Sequence, residues 1–365
     1  MNLETPCILV DVDILNRNIL KMAEIAKKNK VNLRPHTKTH KIPDIAKMQI
    51  DAGCKAITVA KVSEAEVMVA AGISDIFIAY PIIGKSKIER LLILNKENRI
   101  IVGVDSIIGA KALAEAAYNQ GQRLEVRLEV DIGYKRTGVP YSMAVETAKE
   151  VHQLKGLILN GIFTFKAMTL KGEPTDDRKE AGLEEGRLTV EIANLIRKEG
   201  IEINDVSVGS TPTSEFAASV EGITEIRPGT YVFNDVMTVK SGFCSYCDCA
   251  ARVMTTVVSK PSEDRIVIDG GSKTFSTDYP LGVYPSFLEG YGKIVEDDNL
   301  ILERFSEEHG MIRVKKGAKD INIGDRLTII PNHICTTINL HDKLYLVKGK
   351  EVIKEVSIDA RGKVY

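Results

Sequence analysis

The 365-residue chain carries 49 lysines and arginines against 50 aspartates and glutamates, for a net charge of −1, and no block of like charge stands out. Neither nucleic acid nor an anionic membrane surface suits that balance, and the lack of tryptophan argues against stacking platforms for single strands or sugars. A chain of this length exceeds what one core usually needs, so two domains are expected.

The first residues, Met1-Asn2-Leu3-Glu4-Thr5-Pro6, lack a basic start followed by an apolar stretch, and no run of about 18 apolar residues follows anywhere. The chain therefore reads as cytoplasmic. Six cysteines (Cys7, Cys54, Cys244, Cys247, Cys249, Cys335) do not make a disulfide framework at this length, and reduced thiols are expected.

Residues 8 to 30 open with Ile8-Leu9-Val10 and continue as an amphipathic helix with Ile14, Ile19, Leu20, Met22, Ala23 and Ile25 on its apolar face. Short β-branched runs then recur at 31–33, 56–60, 75–80, 100–104, 124–130, 157–165, 206–209 and 224–226. Helical segments at 42–53, 62–72, 86–95, 106–120, 141–154, 176–199 and 213–219 lie between or beside them. Eight strands alternating with helices over about 200 residues predict an α/β fold, a (β/α)8 TIM barrel, with a doubly wound open sheet as the competing arrangement. Past about residue 240, short β-rich segments at 251–259, 265–269, 292–295, 312–315, 327–330 and 344–347 predict a second, all-β domain. The expected division is a barrel over residues 1–240 and a C-terminal β domain over 241–365.

Asn32-Leu33-Arg34-Pro35-His36-Thr37-Lys38-Thr39-His40-Lys41 crowds cations and imidazoles around Lys38, just past the first strand. Such a segment is either a solvated basic loop or part of the catalytic mouth, where burial among cations lowers a lysine's pKa and suits it to covalent catalysis. Ser207-Val208-Gly209-Ser210-Thr211-Pro212-Thr213 follows strand seven and Arg227-Pro228-Gly229-Thr230-Tyr231 follows strand eight. Each reads as a plain turn or as a phosphate cradle, and the last two strands are where barrels often hold a phosphate. Lysine and phosphate across one mouth suit pyridoxal phosphate, and the phosphate loops alone suit a phosphosugar enzyme.

Pro331-Asn332-His333-Ile334-Cys335-Thr336-Thr337 sets an imidazole and a thiol two residues apart. In an extended chain both point to one side, which suits either buried packing or a divalent metal with open positions, with cysteine tilting the choice to zinc over manganese or magnesium. Cys244-x-x-Cys247-x-Cys249 finds no fourth ligand of fitting spacing, and Cys247 and Cys249 alternate like one face of a strand that opens the β domain.

Together these residues resemble the fold-type III pyridoxal phosphate enzymes, within them the D-threonine aldolase and D-serine dehydratase group, over nearly the whole chain. Arg34 to Lys41 is similar to that group's cofactor-lysine motif, which implies Lys38 as the covalent anchor of the cofactor, with His36 beside it. Glu129-Val130-Asp131-Ile132-Gly133-Tyr134-Lys135-Arg136-Thr137-Gly138-Val139 resembles the strand-five motif and places Arg136 near the cofactor ring. Gly209, Ser210, Thr211, Gly229, Thr230 and Tyr231 fall on the phosphate-side loops, and similarity to alanine racemases places Arg227 near the pyridine nitrogen. His333 and Cys335 match the metal positions, flanked by Asn332 and Asn339. After strand six, where relatives carry Tyr or His, this chain reads Thr164-Phe165-Lys166-Ala167-Met168, so Lys166 is the substitute for a second catalytic base.

The resemblance implies a metal-assisted lyase and homodimer acting on a D-3-hydroxy amino acid. Retro-aldol cleavage to glycine and an aldehyde comes first, then dehydration of a D-serine or 3-hydroxy-D-aspartate type substrate to a 2-oxo acid and ammonia, then racemisation. From a different class, a non-catalytic pyridoxal phosphate-binding protein is the rival, and the β domain counts against it.

Overall fold

Apolar runs such as Ile76-Phe77-Ile78 and Ile100-Ile101-Val102 are wholly buried, the state of strands covered on both faces in a parallel sheet. The computed structural model describes residues 2–365. The chain divides into two units. One comprises Lys21–Lys38, Pro43–Gly229 and Lys363–Tyr365. The other comprises the chain up to Leu20, Thr39–Ile42 and Thr230–Gly362.

In the first unit eight parallel strands run in sequence: Asn32–Leu33, Ile57–Val59, Asp75–Pro81, Arg99–Val104, Leu124–Asp131, Leu157–Phe163, Asp205–Val208 and Glu225–Ile226. The last pairs with the first, and a parallel bridge between His36 and Thr58, with Thr58 N–H donating to Pro35 O at 2.8 Å, closes the first onto the second. The expected TIM barrel is therefore present. Its helices are Pro43–Asp51, Val62–Ala70, Lys85–Asn95, Ile107–Asn119, Ala144–His152, Arg178–Lys198 and Ser214–Ala218. Local sequence starts them: Ser106 accepts from Gly109 N–H, and Asp177 from Lys179 and Glu180 N–H, N-caps worth about 1 kcal/mol each.

The barrel interior is only partly apolar. Phe77, Ile101 and Phe163 form one cluster, with Phe77 and Phe163 edge to face at 5.0 Å. Beneath it lie charges: Arg34 and Arg127 both pair with Glu225, and they reach outward to Asp75 and Asp205 respectively. Arg127, with no exposed surface, also lies 4.6 Å from the Phe77 ring centroid.

In the second unit six strands form a closed antiparallel ring: Ala251–Ser262, Arg265–Ile268, Gly310–Val314, Leu300–Phe305, Gly292–Ile294 and Arg326–Pro331, the last pairing with the first. Lys343–Lys348 and Glu351–Ser357 extend this sheet. Two of these strands, Leu300–Phe305 and Glu351–Ser357, are absent from the sequence reading.

Three expectations need correcting. Ile8-Leu9-Val10 is not part of the barrel: Cys7–Asp11 pairs antiparallel with Ala251–Ser262 and parallel with Lys343–Lys348. The structural division falls at Gly229 and Thr230, not at 240 and 241, and the second unit takes the N-terminal strand as well. The cysteine cluster is not a strand: Tyr246–Asp248 is a 3-10 turn, Cys247 is exposed and Cys249 buried. The Ser245 and Asp248 side chains cap that turn reciprocally, which holds the chain out of the ladder until Ala251.

Candidate active site

The barrel unit carries the first cluster at the C-terminal ends of its strands. His36 N–H donates to Pro228 O at 3.0 Å, fixing the end of strand one against the loop after strand eight. Thr37–Thr39 then forms a 3-10 turn, tied down where Thr37 Oγ1 donates to Thr58 O at 3.1 Å. That turn presents Lys38, whose Nζ lies 5.9 Å from the centroid of the Phe165 ring. The Arg136 guanidinium lies 4.6 Å from the same centroid, and Tyr134 meets the ring edge-on at 5.1 Å.

Phe165 is thus the meeting point of the lysine after strand one and the arginine after strand five. Burial, then the charges of Lys38, Arg227 and Arg136, holds the His36 imidazole well below its ordinary pKa, and hence neutral. Three cations around one neutral ring make an electropositive mouth. The acid facing it is Glu129, which accepts from Thr137 Oγ1 at 2.8 Å and lies 3.8 Å from Arg136; burial raises its pKa. The sequence reading quoted Glu129 only as part of a motif. Its signal was an acid at the inward end of a strand otherwise buried.

Loop seven is less open than a phosphate cradle requires. Gly209, at φ +99°, gives its N–H to Glu185 Oε1 at 3.1 Å, while Ser210 N–H and hydroxyl both meet Thr213 Oγ1. Gly209 and Ser210 thereby both serve the turn, and Thr211 beside them is buried. Gly229 ends the barrel unit, whereas Thr230 and Tyr231 belong to the other unit, in the 3-10 turn Thr230–Val232. Arg227 is buried at the end of strand eight and donates to Thr164 O at 2.6 Å.

Lys166, the expected second base, is buried and held by its neighbours, and burial lowers its pKa to about 8 against the opposing charge of Glu185. Its side chain has no exposed surface, its ammonium is paired with Glu184, and it donates to Thr169 O at 3.0 Å. Glu184 in turn accepts Lys171 N–H at 3.0 Å. Together they pin a small hairpin, Thr169–Leu170 with Glu173–Pro174, whose turn residues Lys171 and Gly172 both have positive φ as a type I′ turn demands.

The second unit carries the other cluster. His333 and Cys335 are not on an extended segment: the strand ends at Pro331, and Ile334–Ile338 is a short helix with His333 at its N-cap position. The two side chains still meet, through a hydrogen bond between imidazole and thiol. His333 Nδ1 lies 2.6 Å from Asp278 Oδ2, which assigns that nitrogen its proton. Burial raises the Cys335 thiol, but the His333 charge and hydrogen bond more than offset it, and the thiol ends below its ordinary value. Burial likewise lowers His333, and Cys335 and Asp278 more than reverse that. Thr39 Oγ1 at 3.2 Å and Thr230 Oγ1 at 3.5 Å complete the sulfur's surroundings.

A soft thiolate, an imidazole nitrogen and a carboxylate behind the imidazole fit a divalent cation with open positions. Among the described residues no group of three or more His, Cys, Asp or Glu side chains is arranged around a common point, so protein would supply two donors and solvent or substrate the rest. Cys244 and Cys249 hydrogen-bond to each other and stand apart from this pair in sequence and in role. Among the described residues no helix is long and apolar enough to cross a membrane.

A parallel barrel with a lysine after strand one, a cationic mouth and a β-barrel partner unit defines the alanine racemase-like class. The chain belongs to that family: residues 10–236 match the alanine racemase N-terminal domain, and residues 250–347 match the putative serine dehydratase domain. It is 31% identical over 363 residues to a D-threonine aldolase of Arthrobacter sp., covering 98% of this chain and 93% of that one. It is also 31% identical over 354 residues to a D-threo-3-hydroxyaspartate dehydratase of Delftia sp., covering 92% of each. The crystal structure of D-threonine aldolase from Filomicrobium marinum superposes with a TM-score of 0.89 at 30% identity, covering 100% of this chain and 97% of that one.

Proposed function

We propose that this chain is a pyridoxal phosphate-dependent, divalent-metal-assisted lyase of D-3-hydroxy amino acids, with retro-aldol cleavage to glycine and an aldehyde as its reaction. The observation that carries the reading is the convergence of Lys38 and Arg136 on the Phe165 ring, with Arg227 joining them around a neutral His36. An anionic, aromatic cofactor with an aldehyde matches a cationic mouth that holds one ring face and one lysine. When bound, it supplies an electron sink for a bond broken at Cα.

The chain's residues supply the rest. Lys38 gives the amine for covalent attachment. His36, held neutral, avoids adding a fourth positive charge. Arg136, paired with Glu129 and lying on Phe165, has its fork oriented for a carboxylate or phenolate oxygen. The turn at Ser210 and Thr211 would lie against the phosphate. His333 and Cys335 would hold the cation, whose contribution is Lewis acidity toward a hydroxyl.

Dehydration to a 2-oxo acid and ammonia is the second reading, favoured by a cysteine in the metal pair and by equal identity to the dehydratase. Incubation with D-threonine, D-serine and 3-hydroxy-D-aspartate decides: aldehyde plus glycine supports the aldolase, 2-oxo acid plus ammonia the dehydratase. Neither product from any of them sinks the proposal, and full activity in a metal-free preparation removes the cation from it.

A further inference from the structure

We propose that Ser207 is a positioning residue: its hydroxyl, anchored on Glu225, holds Arg227 in a single orientation at the mouth of the barrel for the bound cofactor. The inference rests on the cofactor reading above and goes beyond it, because Ser207 and Glu225 lie beneath the mouth and neither belongs to the proposed site.

The polarity of the contact fixes its direction. Ser207 Oγ donates its one proton to Glu225 Oε1 at 2.6 Å, so toward Arg227 it can only accept, and it accepts from Arg227 Nη1. Arg227 Nη2 donates to Thr164 O at 2.6 Å. One anchor thus stands on strand seven and the other just past strand six, one for each terminal nitrogen of the planar guanidinium. Turning the fork would break both at once, in a site where Ser207, Thr164 and Glu225 are all within 1% of complete burial. The Phe163 ring, with its centroid 5.2 Å from the guanidinium carbon, closes another side.

Glu225 does not need Arg227. Arg34 Nε at 2.7 Å and Arg127 Nη1 at 2.5 Å already balance its charge, and both are themselves buried. The carboxylate is therefore a fixed base for the relay, and Arg227 is the member being held. Two of its N–H donors are committed to the anchors, and the remaining donors of the fork are set in a fixed plane. A purely structural arginine would complete the ion network; this one is joined to it through the Ser207 hydroxyl.

The test uses the full chain loaded with pyridoxal phosphate. Ser207→Ala is expected to fold with an unfolding transition lowered by the loss of two buried hydrogen bonds, to weaken cofactor binding about tenfold, and to shift the position and pH midpoint of the bound cofactor's visible band. Arg227→Lys, which keeps the charge but cannot span both anchors, is expected to move the band in the same direction. Should Ser207→Ala fail to fold, the Arg227→Lys spectrum decides. Parent-like affinity, band and pH midpoint in the folded variants overturn the positioning role. If the parent protein itself shows no visible band and no borohydride-trapped adduct, the cofactor reading has failed, a result distinct from either.

Discussion

His333 Nδ1 sits 2.6 Å from Asp278 Oδ2, and the same imidazole is hydrogen-bonded to the thiol of Cys335. Asp278 comes from a loop 55 positions earlier, so the ligand pair depends on a residue outside its own motif. Asp278→Ala is expected to lower divalent-cation affinity about 10- to 100-fold while leaving the fold intact. Metal retained after graded chelator challenge measures it, and retention equal to the parent's would remove Asp278 from the site.

Lys38 is expected to be the residue modified when the cofactor-loaded protein is reduced with borohydride. Peptide mass mapping should find the adduct between Pro35 and Lys41, and Lys38→Ala should lose both the adduct and the visible absorbance. An adduct on Lys166 or any other lysine would move the covalent site elsewhere.

Lys166→Met should cost about 3 kcal/mol of stability, because it leaves Glu184 with an unmatched charge beside a buried stem. The double variant Lys166→Met, Glu184→Met should recover most of that loss, as removal of both partners often does. Urea unfolding of the three proteins checks it. A stable double variant that has lost all turnover would restore the lysine as a catalytic base.

The eight barrel strands were legible because a strand buried on both faces must be apolar throughout, and runs like Ile76-Phe77-Ile78 satisfy that from sequence alone. Ile8-Leu9-Val10 has the same signature, and nothing in an apolar triplet says which sheet will take it. The hairpin at 169–174 is too short to alternate, and its cue, Lys171-Gly172, matters only once Glu184 is folded beside it. His333 and Cys335 were found for a reason that does not hold: a shared face of a strand. They meet because one precedes a helix and the other lies in its first turn. Lys38, Arg136 and Arg227 were each visible, but their convergence on Phe165 and His36 is a tertiary fact.

Stability should fall in acid through Glu225. Burial raises its pKa, but Arg127 and Arg34 overturn that and hold it far below the ordinary carboxylate value. With a folded value below the unfolded one of about 4.3, its contribution is fully present above that pH and is lost as pH falls toward the folded value. Glu225→Gln should be less stable at neutral pH and should show a shallower decline below about pH 4. Denaturant midpoints collected across that range supply the comparison, and parallel slopes would contradict it.

Gly161→Ala should be destabilising by about 1 to 3 kcal/mol. A Cβ there would lie 2.4 Å from Asp205 O and 2.7 Å from Asp205 Cβ, where strand six meets strand seven. Thermal unfolding reads the cost. A variant as stable as the parent would show that the two strands can part without penalty.

The strand Cys7–Asp11 lies between Ala251–Ser262 and Lys343–Lys348 in the middle of its sheet. This strand precedes both partners in the chain, and one of them follows only at residue 343. Until the chain reaches Ala251–Ser262, five residues with a largely buried apolar sequence have neither partner. A fragment starting at residue 241 would have the opposite defect, an open seam between two long edges ready to accept a strand from another molecule. Chain order thus makes closure of the second unit's sheet wait on segments more than 300 residues apart.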